Sequence, residues 1–294
     1  MRVLVLRNSH SGTSARQALA GTLVERLEAG GAEVDVAIPE SADAVRERAA
    51  EARRARHDVI VVAGGDGTLN AVANGLVRTA KAERPALAIL PSGRGNDFAA
   101  GLGLRSIEDT LDALERDHRR HVDIGSTDSG VFLGVAGAGF DAKTARRAQR
   151  TPWLSGSALY TYAVIRTLFD FRHIDALVRY EGGEYRGPIT FAAVGNNRRY
   201  GGGMHITPHA ELEDGLLDLC LVKDVSRLRL LYMFPTVFSG THLKDARVSY
   251  VQTRFVEIET SEPTELFADG ELLTHTPVRI DVLRQELEVV TPRK

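Results

Sequence analysis

Cysteine is nearly absent: Cys220 is alone among 294 residues. This excludes an internal disulfide framework and any structural zinc site built from several thiolates, and it makes the cytoplasm the expected compartment. A dominant charge of one sign is also missing, since the formal net charge is -2. A chain that held nucleic acid by neutralising phosphates would be more basic, so no nucleic-acid partner is expected. Long hydrophobic runs are lacking too. No window approaches the roughly 18 apolar residues of a membrane span, and the greasiest, Leu228 to Phe238, is broken by Arg229 and Pro235. The N-terminal MRVLVLRNSHSG has an apolar run suited to a strand and too short for the h-region of a signal peptide, so export is not expected. The nine histidines form no HExxH or paired metal spacing, which leaves His205, His209 and His275 as packing or surface residues. No internal repeat or low-complexity tract is evident, and Ala49 to Arg56 reads as a solvated helix face.

What is present is a chain with 43% hydrophobic residues, enough for a buried core and more natural as two domains than one. The first part alternates strand and helix signals. Strands are expected at Val3 to Leu6, Glu33 to Ile38, Val59 to Val62 and Ala86 to Leu90, and helices at Ala15 to Ala29, Asp43 to Arg56, Thr68 to Arg78 and Ile107 to Glu115. This order predicts an α/β domain with a parallel sheet covered on both faces and a functional crevice at the carboxyl ends of its strands. Near Val122 the texture changes to period-two runs and glycine turns. Strands are expected at Val131 to Ala136, Ala176 to Tyr180, Thr190 to Val194, Leu217 to Val222, Phe255 to Thr260, Val278 to Leu283 and Leu287 to Val290. Helices are expected over Gly156 to Phe169 and Leu228 to Phe238. The pattern is that of a mostly antiparallel β-sandwich over 123–283, with 1–122 as the α/β domain, joined by the returning residues 284–294.

Two loops stand out in the first part. AGGDGTLN, Ala63 to Asn70, follows a strand directly and opens a helix, so its glycines let backbone approach a ligand and its amides face an anion. Asp66 cannot favour phosphate by itself, which points to a bridging Mg²⁺; an isolated GGDG also suits a tight turn capped by its own aspartate. PSGRGNDFA, Pro91 to Ala99, again follows a strand, with Asp97 as helix N-cap the plainer alternative. Two such loops deliver two aspartates to one sheet edge.

These motifs, followed by VDIG at Val122 to Gly125 and ADGE at Ala268 to Glu271, resemble the diacylglycerol kinase catalytic family, which includes bacterial lipid kinases and sphingosine and ceramide kinases. The ordered match runs nearly the whole chain. GGDGT alone is shared with NAD kinases and, as GGDGS, with phosphofructokinases; the second loop and the DGE element favour lipid kinases. The resemblance implies an N-terminal nucleotide domain, a β-sandwich domain shaping the lipid site, and ATP with Mg²⁺ in the cleft between them. It implies nucleotide contacts from Asn8, Ser11, Gly12, Gly64, Gly65, Asp66, Gly67, Thr68, Asn70, Ser92, Gly93, Arg94 and Asn96. Asp66, Asp97 and Asp123 match a metal-centred network, and either Asp269 or Glu271 matches the catalytic base. A structural Mg²⁺ site is implied at Asp214, with backbone oxygens near Glu211 and Leu216; without the resemblance, Asp214-Gly215 reads as a hairpin turn. Arg94 departs from the threonine found in members that phosphorylate diacylglycerol, and a family threonine lacks a counterpart around Ala37 to Glu40.

The expected reaction is phosphoryl transfer from ATP to a lipid hydroxyl, that of diacylglycerol first, with other lipids, NAD, or a non-catalytic binder of nucleotide or lipid as alternatives. An acceptor at a lipid surface implies peripheral membrane contact, for which Trp153, Leu154, Tyr160 and Tyr162 with Arg146, Arg147 and Arg150 are the candidates. Ordinary packing of an amphipathic helix is the plainer reading of the same residues. The family includes homodimers, and no stripe in this sequence marks an interface.

Overall fold

The structure, a computed structural model, describes every residue except 8–13, 94, 152, 155 and 294, and describes no side chain at 14–17, 156, 157 and 160. Asn8, Ser11, Gly12 and Arg94 thus lie outside the described residues, as does the side chain of Tyr160. The chain divides into two units, Met1–Val122 with Gln285–Lys294, and Asp123–Arg284.

In the first unit, β1 (Arg2–Arg7), α1 (Ser14–Ala29), β2 (Glu33–Ala37), α2 (Ala42–Glu51), β3 (Val59–Gly64), α3 (Asp66–Leu76), β4 (Ala86–Pro91), α4 (Asp97–Gly101) and α5 (Ile107–Arg116) follow one another. The strands pair in parallel in the order β2-β1-β3-β4, with Val3 opposite both Val34 and Val59, and Val59 opposite Ala86. Val3 to Leu6 and Val59 to Val62 are fully buried. Their unbroken apolar character is what a sheet covered on both faces requires. Helix starts follow local chemistry: Ser41 caps α2 through the Ala44 amide, and Ser106 and Asp109 form a reciprocal capping box on α5. Because β2 and β3 flank β1 on opposite sides, the sheet has a switch point there, and the loops at the carboxyl ends of its strands are the natural ligand crevice.

In the second unit β5 (Arg119–Thr127), which begins in the first unit, is followed by β6 (Gly130–Phe132), β7 (Val135–Gly139), α6 (Phe140–Gln149), α7 (Gly156–Asp170), β8 (Ile174–Tyr180), β9 (Gly183–Gly195), β10 (Leu217–Lys223), α8 (Arg227–Val237), β11 (Val248–Thr253), β12 (Phe255–Thr260), β13 (Glu265–Ala268), β14 (Glu271–His275) and β15 (Val278–Val290). The pairings among β7 to β14, and those of β5 with β6 and β12 with β15, are antiparallel; β9 gives its first half to β8 and its second half to β7 and β10. Alternation sorts the side chains: Ala192 and Val194 join one core with Ala136, Leu219 and Val256, while Phe191 and Ala193 face a second core with Phe140, Leu168, Leu230 and Met233 from the helices.

The expected α/β domain and mostly antiparallel sandwich are both present. Three local expectations are corrected. The single strand over Val131 to Ala136 is interrupted at Leu133-Gly134, whose amides bind a side chain instead of a strand. The two final strands are one, β15, passing Gln285 in left-handed conformation at φ 50°. Helix α6 and strands β11, β13 and β14 were not expected.

Candidate active site

The glycine loop after β3 and the loop after β4 form one structure. Gly64 stands opposite Pro91 in the sheet, and the Ser92 amide donates to the Gly64 carbonyl at 3.3 Å. A side chain at Gly93 would overlap the Gly65 backbone, so the loops touch main chain to main chain. Asp66 then ties them. Its carboxylate accepts the amides of Asn96 at 2.9 Å and of Asp97 and Phe98 at 3.4 Å. Burial raises the pKa of Asp66, and these amides work against the rise.

Asp66 therefore caps α4, the helix of the neighbouring loop, in place of its own turn. Asn96, in left-handed conformation at φ 59°, occupies the N-cap position expected for Asp97, and its amide side chain closes a ring on the Gly93 backbone. A Cβ at Gly95 would stand 2.9 Å from Asp66 Oδ2. Asp97, Ser92 and Thr68 are buried beside these turns, and the Asn70 side chain accepts from Asn74 at 2.9 Å. Gly67, in the first turn of α3, is exposed, and a Cβ there would meet nothing within 4 Å. Among the described residues nothing stands close to Gly67, where the first-turn amides of α3 have no partner within the helix.

In the second unit, Asp269 and Gly270 are the two-residue turn between β13 and β14, with φ of 51° and 85°. The expected β-turn is present, with its carboxylate turned inward. Asp269 accepts the amides of Leu133 and Gly134 at 2.8 Å each and of Val135 at 3.3 Å. A Cβ at Gly134 would stand 2.7 Å from Asp269 Oδ1. Glu271 is exposed; its carboxylate accepts from Gln149 at 3.0 Å, and the same Gln149 amide reaches the Gly270 carbonyl at 2.7 Å.

Asp123 is fully buried and lies beside the Asp214 turn. Its Oδ2 accepts the Gly215 amide at 2.6 Å, and its own amide donates to the Leu212 carbonyl at 2.7 Å. Asp214 accepts the Leu216 amide at 3.0 Å. Burial raises its pKa, and the negative charges of Asp123 and Glu211 add to the rise. Crowded oxygen donors of this kind suit a hard divalent cation, which would relieve the repulsion. Among the described residues, no three carboxylate, imidazole or thiol groups meet at ligand spacing, so such a site would draw on backbone oxygens.

The expected membrane residues divide. Trp153 is 70% exposed and stacks edge-on against Tyr162, while Leu154 is half-buried. Arg146 pairs with Glu265 and Arg147 with Asp170, leaving Arg150 exposed. Further exposed apolar residues were missed: Phe169 on α7, and Leu228, Leu231 and Tyr232 on α8. Their i, i+3, i+4 spacing on α8 is legible in the sequence as an amphipathic stripe, but its direction is not. Gln149 and the 133–135 amides were missed because nothing in their residue types marks them.

Residues 2–127 match the diacylglycerol kinase catalytic domain family, and residues 134–291 match the YegS C-terminal NAD kinase beta sandwich-like domain. A diacylglycerol kinase of Mycobacterium tuberculosis is 33% identical over 99% of this chain and 96% of its own. A diacylglycerol kinase of Bacillus subtilis is 27% identical over 100% and 97%. The crystal structure of a diacylglycerol kinase from Bacillus anthracis superimposes with a TM-score of 0.80 at 25% identity, covering 99% of this chain and 96% of that one. A protein named "Probable lipid kinase YegS-like" from Chromohalobacter salexigens is 33% identical over 86% of this chain and 82% of its own.

Proposed function

Because the chain belongs to the diacylglycerol kinase family and is a lipid kinase, we propose that it transfers the γ-phosphoryl group of ATP to the hydroxyl of diacylglycerol, giving phosphatidic acid. The observation that carries this reading is the pair of glycine loops after β3 and β4, locked together by Asp66 and by Gly65 against Gly93. The loops offer the phosphates backbone amides from Gly65 to Thr68 at the start of α3, with Ser92, Gly93 and Asn96 beside them. Asn8, Ser11, Gly12 and Arg94 complete the proposed nucleotide contacts.

Phosphoryl transfer needs positioning and charge neutralisation more than covalent help. Asp66 and Asp97 of the first unit are the acidic groups proposed for a catalytic Mg²⁺, and Asp214, with Asp123 beside it and backbone oxygens near Glu211 and Leu216, for a structural one. Bound Mg²⁺ would supply charge neutralisation at the phosphates. The chain's own task is to hold the acceptor hydroxyl and take its proton. Asp269 and Glu271 share that turn: Asp269 is fixed by three amides, and Glu271 is exposed and held by Gln149. General-base help of this kind is worth about 10²- to 10⁴-fold.

The deciding assay gives purified protein labelled ATP, Mg²⁺ and, separately, diacylglycerol, sphingoid bases, ceramide and a bacterial lipid extract. Label in phosphatidic acid supports the reading; label confined to another lipid moves the acceptor; label in none of them ends it. Asp269→Asn and Glu271→Gln, assayed beside wild type, identify the proton acceptor as the one whose loss abolishes turnover while ATP still binds.

For the approach to the lipid we propose peripheral contact through Trp153 and Arg150 together with Phe169, Leu228 and Tyr232, exposed apolar side chains with a cation nearby. Co-sedimentation with anionic vesicles that is unchanged by Trp153→Ala combined with Leu228→Ser and Tyr232→Ser would remove this surface.

A further inference from the structure

Asn196 is fully buried and lies in Gly195-Asn196-Asn197, a stretch that itself resembles one of the family's sandwich domain but to which no role is given above. It sits just past β9, and its hydrogen bonds all go to segments that hold carboxylates. Nδ2 donates to the Asp123 carbonyl and to the Leu133 carbonyl, both at 2.9 Å. Its backbone amide donates to the Gly134 carbonyl at 2.8 Å. The opposite edge of the Leu133-Gly134 segment points its amides at Asp269. The same two residues are therefore gripped on their carbonyl side by Asn196 and spend their amide side on the Asp269 carboxylate.

The side chain makes these bonds at a cost. Its Oδ1 is buried with no hydrogen-bond partner among the described residues. An apolar residue of similar volume would avoid leaving a buried acceptor unsatisfied. What only an amide contributes here is two N–H donors aimed at two carbonyls.

We propose that Asn196 is a positioning residue for phosphoryl transfer: it fixes the strand Asp123 belongs to and the amide cradle of Asp269 in one register, so that both carboxylates are held in their proposed places. The inference rests on the proposed role of these carboxylates. The effect is expected on the chemical step, because the bonds Asn196 makes among the described residues go to Asp123, Leu133 and Gly134, all in the second unit with Asp269.

The test is Asn196→Leu, which keeps the branched outline of four heavy atoms and removes both donors, in the full chain. The expected result is a fall in kcat of about 10- to 100-fold, the range that small misplacements of reacting groups produce, with the KM for ATP held within about twofold. Backbone hydrogen exchange is read on the same sample. The Leu133 and Gly134 amides should lose protection while Val178 on β8 keeps its own. Unchanged kcat in a folded variant, or a loss of kcat in proportion to a loss of folded protein, overturns the proposal. If Asn196→Leu does not fold, Asn196→Ser, which retains one donor, is read the same way, and rapid exchange of Leu133 and Gly134 in the wild type overturns the proposal outright. Should the wild type phosphorylate no lipid, the functional reading fails; the exchange data then still decide whether Asn196 holds the cradle.

Discussion

Replacing Gly67 by alanine separates what the first glycine loop does for the fold from what it does for a ligand. The added Cβ would meet nothing within 4 Å, Gly67 has an ordinary helical φ in α3, and it is exposed. The folded protein therefore has no steric reason to resist the methyl group. Removing a helical glycine gains up to about 0.5–1 kcal/mol, less in a first turn, so the thermal midpoint should hold or rise by a few degrees at most, roughly 2–4 °C per kcal/mol for a chain of this size. A phosphate bound to the α3 amides would meet the same methyl at close range. Overpacking of that kind costs about 1–3 kcal/mol, or about 5- to 150-fold in affinity. The two effects have opposite signs, and ligand-dependent melting reads both. At ATP one hundredfold above the wild-type Kd, binding stabilises by about 2.7 kcal/mol, and a thirtyfold weaker variant keeps only about 0.9 kcal/mol. An unchanged or higher melting temperature without ATP, with most of the ATP-induced shift lost, is the expected outcome. Equal shifts in variant and wild type would refute the assignment of phosphate to the start of α3.

Three further outcomes follow from the packing. Gly93→Ala forces a methyl into the Gly65 backbone, so it should destabilise by about 1–3 kcal/mol and weaken ATP together with the fold, seen as a lower melting point and a raised KM. Asp141, whose pKa burial raises to about 6 against the pull of the Tyr200 hydroxyl, keeps its proton in the folded state where the unfolded chain has lost it. Stability should therefore decline as pH rises from about 4 to about 6, by about 3 kcal/mol at most, and Asp141→Asn should flatten that slope in denaturant titrations. His57 is buried with Nδ1 facing the Ala52 carbonyl at 3.0 Å and Nε2 facing the Asp35 carboxylate at 2.7 Å. His57 also holds the Asp35 carboxyl below its usual range, a contribution present above about pH 4 and lost on acidification. His57→Ala should cost about 1.5–3 kcal/mol and weaken that acid dependence, measured by urea unfolding between pH 3 and pH 7.

The fold was legible where burial writes itself into residue type. Val59 to Val62 reads as a strand because it is apolar on both faces, and Leu217 to Val222 because Leu217, Leu219 and Leu221 alternate with other residues; both are buried. Strand β11 was invisible for the converse reason, being mostly half-exposed with no sustained apolar side. Helix α6 follows β7 directly, the strand's last residue Gly139 turning the chain at φ 89°, and few apolar residues announce it. The candidate site was legible as carboxylates and illegible as contacts. Asp66 and Asp269 stood out, but what they touch are main-chain amides about 30 and 135 residues away in the chain, and an amide carries no mark in a sequence. The expectation that Arg146 and Arg147 await anionic lipid missed Glu265 and Asp170 for the same reason: long-range partners have no local signal.

The first unit is not contiguous in the chain. Residues 285–294 return to it after the whole second unit, where Val289 pairs with Leu87 of β4, Glu286 binds the Arg84 guanidinium at 2.7 Å and the Thr291 amide donates to the His118 carbonyl. On the ribosome this fixes an order of maturation. The second unit has all its strands once residue 284 has emerged, whereas the first unit, although begun first, waits with the β4 edge uncovered until the last strand arrives. A chain cut just short of that return would keep every strand of the second unit and leave the first with a sheet edge exposed, the state most open to chaperone capture or mispairing.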